Sequence, residues 1–313
     1  MHRRRLFSTA KVAAIVTTAL VLTGCGSQDA DEPAAAPASS AAGFPVTVGA
    51  VTLEARPEKI VSLSPTATEM LFAIGAGPQV TAVDDQSNYP AGVPKSDLSG
   101  FKPNAEAIAA KDPDLVVVSN DTENIVAQLG KLSIPAFVAP AAATLEDTYA
   151  QLGDLGALTG HRAEAEKAGA DMATRIDEIV KSVPARSQPL SYFYELGPDL
   201  YSATSKTFIG SIFAKFGLTN VADAADASGS FGGYPQLTQE AVVKANPDMV
   251  FLADTKCCQQ SAETVKARSG WSAVTAVEKG QIYALDDDIA SRWGPRTADL
   301  VQAVADAVGK VPA

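Results

Sequence analysis

Two stretches of this chain spell nearly the same sequence. EAIAAKDPDLVVVS begins at Glu106, and EAVVKANPDMVFLA begins at Glu240, 134 residues later. Alignment at the glutamates pairs Ala107 with Ala241, Pro113 with Pro247, Asp114 with Asp248 and Val116 with Val250. Each copy reads as a short helix, an N/D-P-D turn and a continuous apolar run. Proline stops the helix and steers the residue before it toward extended backbone. A short run that is apolar at every position is a strand covered on both faces, as in a parallel sheet. The repeat therefore predicts an α/β chain of two similar lobes with mainly parallel sheets.

Further segments fit that plan. Strands are predicted at Lys59–Leu63, Val80–Val83, Ile134–Val138, Leu190–Glu195 and Ile282–Leu285. Helices are predicted at Thr66–Ile74, Phe208–Phe216 and Pro295–Val308. Ser64 and Pro65 suit the cap and first turn of the first of these. Ala168, Met172, Ile176, Ile179, Val180 and Val183 step by threes and fours, the apolar stripe of one helix spanning about Ala163 to Val183. The implied organisation is an N-terminal lobe over 51–160, a linking helix over 161–184 and a C-terminal lobe over 185–313. Two such lobes joined by a helix leave a cleft, and open parallel sheets bind ligands beyond the carboxyl ends of their strands.

The first 50 residues belong to a different regime. Arg3, Arg4, Arg5 and Lys11 precede an apolar run, Val12–Leu22, too short to span a bilayer. This is the pattern of an export signal over 1–24. Leu22-Thr23-Gly24-Cys25 resembles a bacterial lipobox, which implies lipidation at Cys25 and attachment to the outer face of a membrane, periplasmic or cell-surface. Residues 25–50, rich in Ala, Ser and Pro, read as a flexible tether. Loss of residues 1–24 removes four basic side chains and no acidic one, so the formal charge falls from −11 to −15. So acidic an exported body argues against nucleic-acid partners. Apolar residues make up 46% of the chain, enough to fill two cores.

The segments KIVSLSPTATEMLFAIGAG, DDQSNYPAGV, DLSGFKPNAEAIAAKDPDLVVV and GYPQLTQEAVVKANPDMVFLAD, beginning at Lys59, Asp84, Asp97 and Gly233, resemble the iron-chelate and vitamin B12 substrate-binding lipoproteins of ABC importers. The resemblance runs from about Val51 to Val308. It implies a monomeric carrier that captures a metal chelate, a ferric siderophore or a cobalamin-type corrinoid, with haem as an alternative, and delivers it to an ABC permease dimer. It also implies that one glutamate on each lobe docks on the permease, and the matching positions are Glu106 and Glu240. The same two residues read otherwise as acidic side chains favouring a helix start.

No catalytic motif is present: G-x-S-x-G, H-E-x-x-H, a Walker loop and G-x-G-x-x-G are all missing. Neither a catalytic role nor a cofactor is expected. The single histidine after residue 24, His161, reads as a surface or helix-start residue, and one histidine is too few for a bare-metal carrier. A bulky chelate needs an aromatic-lined cleft with a few polar anchors. The candidates are Ser64, Tyr89 and Phe101 in the first lobe, and Tyr201, Phe231, Tyr234, Arg292, Trp293 and Arg296 in the second. Two readings stand for SRWGPR, Ser291–Arg296. Its guanidiniums suit carboxylate or catecholate oxygens of a siderophore; alternatively Arg292 pairs with Asp286, Asp287 or Asp288, and Trp293 packs under the last helix. Gln86 and Gly100 stand where vitamin B12 carriers stack aromatics on the corrin, with Phe101 and Tyr234 as replacements. Cys257 and Cys258 are adjacent, so their Cα atoms are about 3.8 Å apart, shorter than ordinary disulfide spacing, and a bond between them would be strained. A bond between them is the reducible kind; it would stiffen a loop beside the ligand. Rival readings of the scaffold are an exported enzyme, redox-active through this pair, and a ligand sensor.

Overall fold

The computed structural model describes residues 43–312. The expected signal segment, the lipidation site Cys25 and the tether as far as residue 42 lie outside them. No helix of the described residues is long and apolar enough to cross a membrane.

In chain order the elements of the first half are β1 (Val46–Val48), β2 (Val51–Leu53), β3 (Ile60–Leu63), α1 (Pro65–Ala73), β4 (Val80–Val83), α2 (Ala105–Ala109), β5 (Leu115–Val118), α3 (Ile125–Lys131), β6 (Ala136–Val138) and α4 (Leu145–Thr159). The helix α5 (Arg162–Ser182) follows. The second half contains β7 (Ser191–Glu195), α6 (Phe208–Ala214), β8 (Thr219–Asn220), α7 (Gln239–Ala245), β9 (Met249–Leu252), α8 (Thr255–Cys258), α9 (Ala262–Lys266), α10 (Thr275–Glu278), β10 (Ile282–Ala284), α11 (Asp287–Ala290) and α12 (Thr297–Lys310).

Both main sheets are parallel and follow one plan. The first runs β4-β3-β5-β6; the second, read from its far edge, runs β8-β7-β9-β10. The repeat noted in the sequence is the α2–β5 unit of one lobe and the α7–β9 unit of the other. Val116 pairs with Val61, and its counterpart Val250 pairs with Phe193. The repeated aspartates do the same work in each lobe. Asp114 Oδ2 accepts the backbone N–H groups of Glu58 and Lys59 at 2.8 and 2.9 Å, fixing the start of β3. Asp248 Oδ2 accepts the Ser191 N–H and hydroxyl, both at 2.8 Å, fixing the start of β7. The residue before each proline departs from the expected extended backbone. Asp112 and Asn246 adopt left-handed φ values of 51° and 47°. Proline disfavours the right-handed helical region for its predecessor, and Asp and Asn tolerate the left-handed one.

Strand residues alternate between two cores, as a doubly covered sheet requires. Leu115 and Val117 face α1 and α4, while Val116 and Val118 face the α2–α3 side. Met249 and Phe251 join Tyr192, Tyr194 and Phe213 against α12, while Val250 and Leu252 pack with Trp271. The helix α5 lies within one residue of its expected bounds at either end. Its Ala165 belongs to the first-lobe core, and its Met172, Ile176 and Ile179 belong to the second-lobe core.

Two features depart from the sequence reading. The expected tether ends too late, because residues 46–53 form the antiparallel hairpin β1–β2, with Val46, Val51 and Leu53 buried in the first core. The long helix α4 was not anticipated; its capping box, Thr144 with Asp147, marks its start.

Candidate functional site

Segments that follow strands of the two sheets meet. Asn88, in the loop after β4, and Asp288, on α11 after β10, are bonded through their side chains at 3.1 Å. Arg292 reinforces that seam. It donates to Glu69 on α1 at 2.8 Å, to Asn88 Oδ1 at 2.9 Å, to the Gln86 carbonyl at 3.1 Å and to Asp288 at 3.1 Å. Arg296 grips the same Glu69 with its Nε and one terminal nitrogen at 2.9 and 2.6 Å. Glu69 is only 3% exposed, and the two guanidiniums supply the compensation that a buried carboxylate needs.

Four expected ligand contacts are reassigned by this geometry. Arg292 is 7% exposed and saturated by partners from both lobes, including the Asp288 of the second reading. Arg296 is committed to Glu69 and stacks over the Tyr89 ring at 4.3 Å. Trp293 donates its indole N–H to Gln151 at 3.0 Å and packs against the cores of both lobes. Ser64, 2% exposed, caps α1 by accepting the Ala67 N–H at 3.3 Å. These groups hold the lobes together or start a helix.

The aromatics behave differently. Six large apolar side chains are exposed among the described residues: Tyr89, Phe101, Leu132, Tyr201, Phe231 and Tyr234. Five of them are the aromatics expected from the sequence. Tyr89 lines a recess of about 360 Å³ at the lobe seam with Phe72, Pro295, Arg296 and the Arg175–Asp299 pair. Phe101, 76% exposed, follows Gly100, where a Cβ would stand 2.7 Å from the Leu63 carbonyl and 2.9 Å from Asp84. No aromatic fits at position 100, so the ring is presented one residue later. Tyr201, Phe231 and Tyr234 are carried on adjoining backbone, since 201–204 runs antiparallel to 233–236: Tyr201 bridges Gln236, and the Ser202 and Thr204 N–H groups donate to the Pro235 and Gly233 carbonyls. Asp226 shapes the loop that carries two of these rings. Its carboxylate accepts the Phe231 and Gly233 N–H groups at 2.9 and 2.7 Å, and these bonds hold its pKa below the ordinary carboxylate value. An acidic residue five and seven positions before the bonded amides was the available signal, and the sequence reading missed it.

Behind the second-lobe strands sits a buried acid pair. Glu195 ends β7 and Asp254 follows β9; both are fully buried. Arg268 bonds both Glu195 oxygens, at 2.6 and 2.5 Å, while neither Asp254 oxygen has a conventional donor. Burial, then the neighbouring Glu195 charge, push the Asp254 pKa up to about 7. Just beyond, Cys257 and Cys258 stand with sulfurs in bonding contact, Cys257 on the solvent side. Glu106 and Glu240 occupy matching places in the first turns of α2 and α7. Both are exposed, and among the described residues no side-chain hydrogen bond or ion pair engages either. The capping is done by Asn104 and Thr238 instead.

Residues 60–289 match the model of the periplasmic binding protein family. The chain belongs to that family. It is 32% identical to a cobalamin-binding protein of Halobacterium salinarum, over 98% of this chain and 85% of that protein. It is 29% identical to the uncharacterized ABC transporter substrate-binding lipoprotein YvrC of Bacillus subtilis, over 95% of each. Among solved structures, the periplasmic vitamin B12 binding protein BtuF of Vibrio cholerae superposes with a TM-score of 0.65 at 26% identity, covering 80% of this chain and 96% of that one.

Proposed function

We propose that this chain is the extracytoplasmic substrate-binding component of an ABC importer, anchored through Cys25, and that its cargo is a metal chelate held between the lobes. The observation that carries the reading is the exposure of Phe101, Tyr201, Phe231 and Tyr234 on loops after the strands. Exposed rings on a rigid scaffold are costly unless a partner covers them. A corrinoid or a ferric siderophore presents the large, partly apolar faces that such rings cover. Cobalamin binding by the Halobacterium relative favours the corrinoid. Binding needs no bond to be made or broken, and the seam residues supply a fixed frame. Delivery rests on Glu106 and Glu240, whose free carboxylates present one charge per lobe to a two-fold permease. Complementary charge of this kind sets encounter rate and register more than affinity.

The test is the double charge reversal Glu106→Lys with Glu240→Lys in cells that depend on the importer. Uptake is expected to be lost while the purified variant binds cargo as before. Unchanged uptake would refute the docking role and favour a ligand sensor.

A further inference from the structure

The Cys257–Cys258 pair is poorly placed to act as a staple for the whole fold. In the chain-entropy model, the stabilisation from a disulfide grows with the loop it closes, and a bond between neighbours closes almost none. Any effect must be local. The local surroundings lead directly to the lobe seam. Asp287 accepts the Thr255 N–H and hydroxyl at 2.9 and 2.7 Å, the Lys256 N–H at 2.9 Å and the Cys257 N–H at 3.0 Å. Lys256 Nζ lies 2.8 Å from both Asp286 and Asp288. Asp288 in turn holds Asn88 of the other lobe and Arg292. The cysteine turn is thus two bonded steps from the contacts that join the lobes.

We propose that Cys257 and Cys258 are a thiol–disulfide exchange site whose state sets how firmly the seam, and with it the cargo, is held. The inference rests on the carrier reading for its cargo, but not for its structural step. Oxidised, the bond across one peptide unit removes side-chain torsions from both residues and keeps three successive N–H groups aimed at Asp287. The reductant is a dithiol. Its thiolate attacks the solvent-facing Cys257 sulfur, the S–S bond breaks, and Cys258 leaves as a thiolate that takes up a proton. The second thiol of the reductant then displaces Cys257, leaving two protein thiols and a cyclic disulfide of the reductant. The freed turn relaxes, Asp287 loses ordered donors, and Lys256 loses its fixed position between Asp286 and Asp288.

The test uses the purified chain with and without a dithiol. Alkylation followed by peptide mass analysis should find the 257–258 peptide unmodified before reduction and doubly alkylated after it. Hydrogen exchange should quicken on reduction in residues 255–260, 286–296 and 86–90. Cys257→Ser with Cys258→Ser should match the reduced protein and ignore the dithiol. In Asp287→Asn, reduction should loosen 255–260 and leave 86–90 unmoved. Titration with cobalamin, haemin and a ferric hydroxamate siderophore should show binding roughly three- to tenfold weaker in the reduced state, the scale of one hydrogen bond's net contribution. Two free thiols in the native protein overturn the proposal, as do unchanged exchange at the seam or equal affinity in both states. If the seam responds to reduction and no probe binds in either state, the coupling stands and the carrier reading falls.

Discussion

Glu69 is the buried acid on which the seam's two arginines converge. It is buried on α1 and receives Arg292 and Arg296 from the other lobe. Removing one partner of a buried ionic set strands the others without compensation, at about 3–5 kcal/mol. Glu69→Ala should therefore lower unfolding stability by about that amount in chemical denaturation, and a loss near the ±0.5 kcal/mol of a surface substitution would contradict the assignment. The acid pair predicts a pH dependence of opposite sense to ordinary carboxylates. In the unfolded chain Asp254 ionises near 4; folded, it keeps its proton up to about 7. Its favourable contribution is complete below about pH 4 and is lost as pH rises through about 7. Asp254→Asn should flatten the fall in stability between roughly pH 4 and 7 relative to the parent, and identical slopes would refute the raised Asp254 pKa. At this scale the sequence was half legible. Aromatics on loops after strands could be picked out by position. The pairing of Arg292 with Asp288 was legible as one of two readings, but the tie of Arg292 and Arg296 to Glu69 was not, because that acid lies 223 and 227 residues away in sequence.

Among the elements, the repeated α-turn-β units were the most legible, since turn chemistry and two-sided burial are both local properties. The hairpin β1–β2 was hidden because three-residue strands carry little pattern. The helix α4 was hidden because Gly153, Gly156 and polar residues break up its apolar stripe. Gly156 is there for packing: a Cβ would stand 2.4 Å from that of Ala165, so only glycine lets α4 and α5 meet so closely. The joint between these helices holds His161, whose Nε2 lies 2.7 Å from Arg56 and 3.0 Å from Gln79. Burial and the Arg56 charge hold its pKa below the ordinary value. The folded joint therefore prefers neutral imidazole, while the unfolded chain takes a proton near pH 6.5. Stability from this joint is present above that pH and declines as pH falls below it. His161→Gln should remove that decline from thermal melts taken between about pH 7 and 5; an unaltered pH profile would argue against the role.

For the whole molecule, α5 enters both cores and the ionic seam spans the lobes, so large hinge motion is opposed by both packing and charge. Small-angle scattering curves with and without cargo should nearly superimpose, and a marked compaction would contradict this. The fold class was legible because one repeat implied two sheets; the identity of the cargo was not, because it depends on how loops from distant parts of the chain come together. The decisive measurement is a titration of the purified protein with cobalamin, cobinamide, haemin and ferric siderophores, following tryptophan quenching in the parent and in Phe231→Ala with Tyr234→Ala. The expected result is saturable one-to-one binding of one chelate, weakened at least tenfold in the double variant, about 1.4 kcal/mol. Binding of none of them, or binding indifferent to those two rings, would contradict a chelate carrier with its site on these loops.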